Sequence, residues 1–177
     1  MERVDIRPIE EAEPQVGVLM AALDNTTREW RGELGVLSIE QITWQVFPAG
    51  HSIGGLLLHI ADVEAYWLYS VATGITRCDE ELSGLLSKET QQEKIIWPTP
   101  PSEPVEWYFA KHDAIRERTH KTLLALNDPE HIGVRRETEF TLRWLLGHVI
   151  AHEAYHGGQA VLLSLIQQQS AEQAKQF

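Results

Sequence analysis

The stretch His148-Val149-Ile150-Ala151-His152-Glu153-Ala154-Tyr155-His156-Gly157-Gly158-Gln159 places three imidazoles at i, i+4 and i+8 inside a long apolar helical pattern. Residues four apart stand one above the other on a helix face. Neutral imidazole is also the commonest protein ligand of transition metals. Outward from this stretch, the line Leu145, Val149, His152, His156, Gln159, Leu163, Ile166 advances in alternating fours and threes, the spacing of a bundle interior. A helix is predicted from about Thr141 to Gln168, with the Gln- and Ala-rich tail from Gln167 onward frayed. His152 and His156 take seam positions where Leu or Val is expected, and His148 lies one step off that line.

Three earlier segments carry the same helical period. Pro14 suits a first helical turn, and Val16, Leu19, Leu23, Thr26, Trp30 and Leu34 follow it at threes and fours toward a stop near Gly35. Ser38 caps a short turn with Ile39 and Ile42, and Pro48-Ala49-Gly50 breaks the chain. Ser52 caps a second long helix through Leu56, Ile60, Val63, Trp67, Leu68 and Val71 to Gly74. On it, Leu56, His59, Val63 and Tyr66 form a core-facing line. Residues 75–103 are a long connection, with a short helix around Asp79–Leu86 and an extended crossover at Pro98-Thr99-Pro100-Pro101. A third helix runs from Ser102-Glu103-Pro104 through Val105, Tyr108, His112, Ile115, Thr119, Leu123 and Leu126 to Asn127-Asp128-Pro129. Residues 130–140 read as a loop or a short strand pair. The expectation is a single all-α domain over 1–177.

Composition excludes several function classes. The net charge of −11 repels nucleic acid and anionic membrane. One cysteine, Cys78, precludes an intramolecular disulfide. The charged N-terminus is not a signal peptide, and no stretch has the eighteen or so apolar residues of a membrane helix. The expected setting is cytoplasmic.

Two polar intrusions on two inner helix faces satisfy each other if they meet, and three imidazoles meeting inside a bundle form a metal site with an open position. His59, His152 and His156 are therefore the candidate ligands of a divalent metal. The rival reading is a set of half-buried histidines bonded to backbone or water. His112 reads as a core or edge histidine, and nothing is assigned to His51, His120 or His131. His152-Glu153-Ala154-Tyr155-His156 also fits the zinc-peptidase pattern H-E-x-x-H. The longer metzincin pattern fails, because its glycine and third ligand fall on Gln159 and Leu162.

Two stretches resemble the DinB superfamily: Gly50-His51-Ser52-Ile53-Gly54-Gly55-Leu56-Leu57-Leu58-His59-Ile60-Ala61-Asp62-Val63-Glu64, its second-helix signature, and Thr141 to Gln159, its fourth helix. The resemblance implies a four-helix bundle in up-down-down-up order with a long crossover between helices 2 and 3, usually dimeric. It also implies a divalent metal, zinc or nickel, on His59, His152 and His156, with His148 a neighbour and not a ligand. The implied activity is a metal-dependent thiol S-transferase acting on small electrophiles with a low-molecular-weight thiol. The alternatives are a metal-dependent hydrolase of a small ester or amide, and a non-catalytic, metal-stabilised stress or sensor protein.

Overall fold

A computed structural model describes residues 4–76 and 97–174, with side chains through residue 170. The described residues are mostly helical, with one two-stranded hairpin among them. Helix α1 spans Pro14–Leu34, α2 Ile39–Thr43, α3 Ile53–Ala65, α4 Val105–Leu126 and α5 Leu142–Ala174; the strands are β1 Ile132–Arg135 and β2 Thr138–Thr141. The short helix expected around Asp79–Leu86, and Cys78, lie outside the described residues.

The helix ends follow from the residues at them. Glu13 caps α1 by accepting from the Gln15 and Val16 amides. Ser38 and Gln41 form a reciprocal capping box on α2, and Ser52 accepts from the Gly55 amide to start α3. Asn127, with φ 42°, ends α4 in the left-handed region that Asn tolerates. The polar segment resolves into an antiparallel pair, Arg135 facing Thr138 across a two-residue turn with Arg136 at φ 55°.

Three sequence expectations need correction. Among the described residues the tail does not leave the helix at Gln167; α5 continues to Ala174. The second long helix is not uniform, because Tyr66–Val71 winds as a π-helix before the stop at Gly74. The seams are also rotated from the expected lines. Val63, Tyr66, His152 and His156 are only half-buried and Ile166 is exposed, whereas Glu64 and Glu153 are wholly buried. A helix contacting two partners presents a wider buried arc than one seam, and α3 packs against both α4 and α5.

α1 lies along α5, and the two are tightly apposed at Gly157, where an added Cβ would stand 2.5 Å from Trp30 Cγ. The apolar core falls into two clusters. One gathers Trp30, Leu34, Ile42, Ile53, Leu57, Tyr108 and Leu163; the other gathers Val16, Met20, Leu23, Leu68, Leu123, Leu145 and Val149. Each fully buried side chain of this kind contributes about 1.5–3 kcal/mol. Between the two clusters lies a polar layer: Asp24 on α1, Glu64 on α3, His112 and Arg116 on α4, and Glu153 on α5.

Candidate metal centre

α3 and α5 bring the three expected ligands together. One ring nitrogen from each of His59, His152 and His156 lies within 4.8 Å of the other two. His59 Nε2 and His152 Nε2 are 3.1 Å apart, and the His59 ring centroid is 4.9 Å from His152 and 4.8 Å from His156. Two imidazole lone pairs at that separation repel unless a proton or a cation stands between them. Tetrahedral zinc at ~2.0–2.1 Å from each imidazole would set ligand nitrogens about 3.3–3.4 Å apart, so a small outward movement fits an ion. The donor set suits a divalent transition metal.

The electrostatics favour the same form of the rings. Burial pushes His59 down to about 4, the neighbouring His156 adds to this, Asp62 opposes it and His51 adds again. His152 falls to about 3 through burial and then the other three imidazoles, His156, His59 and His148. His156 is lowered chiefly by burial, partly offset by its bond to Gln159. Near neutral pH these groups are neutral imidazoles, ready to donate a lone pair. His156 Nδ1 lies 2.7 Å from Gln159 Oε1. That oxygen can only accept, so the ring proton sits on Nδ1 and Nε2 is free as a donor atom.

The surroundings are aromatic. Buried Trp97 packs on His51 at 4.3 Å and on His59 at 5.2 Å. His51, unassigned from sequence, thus stands at the edge of the cluster. His148 stacks on Trp144 at 4.9 Å, meets Trp67 at 4.8 Å, and lies 6.3 Å from His152. It walls the site from the α5 side, as a neighbour of the cluster.

A second group, Glu64, His112 and Glu153, also brings ligand atoms within 4.8 Å, all buried, and by donor type could hold a metal. Its atoms are committed, however. Arg116 donates Nε to Glu64 Oε1 and Nη2 to Glu64 Oε2, both at 2.9 Å, and Nη2 to Glu153 Oε2 at 2.8 Å. Arg31 Nη2 approaches His112 Nδ1 at 2.9 Å. A guanidinium only donates, so Nδ1 accepts, and the proton on Nε2 goes to Glu64 Oε2 at 3.0 Å. Burial works against the Glu64 charge, but Arg116, helped by His112, holds its carboxyl far below the usual range. The cation balancing this group is the guanidinium.

Glu153 therefore faces away from the three-histidine cluster. Its Oε1 accepts from the Trp30 indole at 2.9 Å and from the Thr27 hydroxyl. In H-E-x-x-H peptidases the Glu serves as base for the metal-bound water, and no such role is open to a carboxylate engaged this way. Sequence spacing missed Glu64, Glu153 and Arg116 as a unit. The available signal was an arginine and two carboxylates at positions flanking apolar seams.

A family model for mycothiol S-transferase matches residues 18–164, a span that includes the three histidines and the Glu64, His112 and Glu153 group. The chain belongs to the mycothiol S-transferase family. This family lies within the DinB-like superfamily of thiol-dependent S-transferases, and it joins small molecules to a thiol. None of the curated proteins compared with the chain matches it. Among the described residues, no helix is long and apolar enough to cross a membrane.

Proposed function

We propose that this chain is a divalent-metal-dependent thiol S-transferase acting on small electrophiles, with His59, His152 and His156 as ligands of a zinc or nickel ion. The observation that carries this reading is the convergence of three neutral ring nitrogens in a member of the mycothiol S-transferase family. A divalent ion with an open position supplies Lewis acidity, which lowers the pKa of a thiol or water placed there.

The chain's own residues do the rest. Low pKa values keep the imidazoles unprotonated, Gln159 fixes the His156 tautomer, and Trp97 and His148 shield the rings from bulk water. In the transfer, the thiol sulfur forms the new bond to the electrophilic carbon. The leaving group departs with its bonding pair, and the thiol proton passes to solvent. Mycothiol is the expected thiol, by family. Hydrolysis is the weaker reading because Glu153 is engaged elsewhere.

The same reading takes 1–177 as one cytoplasmic domain, its four long helices in up-down-down-up order. It pairs two copies through α5. Between Trp144 and Ser170 the only carboxylate or cationic side chain is Glu153, which is buried, while Ala151, Ala154, Tyr155, Gly158, Leu162 and Leu165 are exposed. In a chain of net charge −11, a helix face with no charge of its own, bordered by Glu29 and Glu33 of α1, is where two copies meet with least repulsion.

The test is conjugation of a bimane or dinitrophenyl halide to mycothiol, N-acetylcysteine and other small thiols by metal-loaded protein. Thioether formation that stops when metal is chelated is the expected result. Metal-loaded protein that conjugates none of them would overturn the assignment.

A further inference from the structure

We infer that Arg116 is a positioning residue for the three-histidine centre: it locks α3 to α5 and so sets the separation between His59 and the His152/His156 pair. The inference rests on the ligand set proposed above. Glu64 follows His59 on α3 by five residues, about 1.4 turns, and Glu153 adjoins His152 on α5. Both carboxylates are wholly buried, and both bond the same guanidinium. The remaining Arg116 terminus, Nη1, donates to Asp24 Oδ1 on α1 at 2.9 Å. One α4 side chain thus binds a carboxylate on each of the other three long helices.

The geometry resists sliding. Each Glu64 oxygen takes its own Arg116 nitrogen, and Glu153 divides its oxygens between Arg116 on α4 and Trp30 with Thr27 on α1. A one-turn slip of α5 along α3 moves Glu153 by ~5.4 Å and breaks every one of its bonds inside the core. Buried ion pairs add little net stability over an apolar replacement, and their best-attested use is fixing register. The planar fork matters too. A lysine ammonium keeps the charge but cannot present three nitrogens to three carboxylates in fixed directions.

The experiment is cobalt(II) titration of the metal-free full chain, reading the dissociation constant and the visible d–d bands, with helicity checked by circular dichroism. The proteins are wild type, H59A, R116K, R116M and the triple variant E64Q/R116M/E153Q. Folded R116K and triple variants should bind cobalt about ten- to a hundredfold more weakly, with shifted d–d bands. If R116M alone unfolds, the triple variant, which strands neither wholly buried carboxylate and leaves Asp24 its bond to His120, decides. Wild-type affinity and spectrum in folded R116K and the triple variant would overturn the inference. Loss of helicity in both would overturn it too, since the network would then hold up the fold and not the register. A wild type that binds no cobalt, or an H59A variant that binds it equally well, refutes the ligand set itself and is recognisably a different failure.

Discussion

Gln159 Oε1 accepts the Nδ1–H of His156 at 2.7 Å, nearly one turn further along α5. The contact dictates which nitrogen of His156 is free. It also explains a polar residue on an otherwise apolar line. Gln159→Leu should weaken zinc binding about ten- to a hundredfold, as loss of the partner behind a ligating His does. Gln159→Glu keeps an acceptor and should stay close to wild type. Competition against a chromophoric chelator measures both, and equal affinity in Gln159→Leu would remove Gln159 from the site.

Gly157 sets how closely α1 and α5 approach. A methyl there would stand 2.5 Å from Trp30 Cγ, and Trp30 holds Glu153 through its indole N–H. Gly157→Ala should therefore cost about 1–3 kcal/mol through overpacking, seen as a lower urea midpoint at unchanged slope. An unchanged midpoint would mean that Trp30 moves aside freely.

Much of this was legible in the sequence, and what was not has a physical cause. The convergence of the three histidines could be read because side chains on one helix obey its period, and because His59 interrupts an apolar run. The starts of three of the four long helices could be read from Pro14, Ser52 and Pro104. Glu64 and Glu153 could not, since spacing alone treats a carboxylate beside a seam as solvated. What buries them is Arg116 on another helix, and pairing between helices leaves no periodic trace. His51 came into the site by a loop path that no helical pattern describes, and the π-helical stretch Tyr66–Val71 departs from the period of 3.6 that the spacing assumes.

The polar layer predicts a stability order that apolar packing alone does not. Arg116→Met strands two buried carboxylates and should cost about 3–5 kcal/mol. The triple variant E64Q/R116M/E153Q removes the charges together and should cost markedly less than that single change. Urea denaturation of the metal-free proteins checks the order; a triple variant less stable than Arg116→Met would contradict it.

Acid should destabilise the metal-free protein in two stages. His59 and His152 have folded pKa values of about 4 and 3, below the unfolded 6.5. Between those limits the unfolded chain binds more protons, so stability falls as pH drops below about 6.5. Glu64, whose folded pKa is also depressed, withdraws its contribution as pH falls below the unfolded carboxylate value of 4.5. Urea midpoints measured from pH 8 to pH 4 should decline throughout that lower range. A midpoint constant between pH 7 and pH 5 would contradict neutral, half-buried imidazoles.

The most direct test is metal stoichiometry. Metal-free wild type, H59A, H152A and H156A, each shown to be folded, are dialysed against a limiting excess of zinc and assayed by elemental analysis. Wild type should retain about one ion per chain, the complement of a single tetrahedral site, and each single variant should lose most of it. Equal zinc in all four proteins would contradict a centre built from His59, His152 and His156.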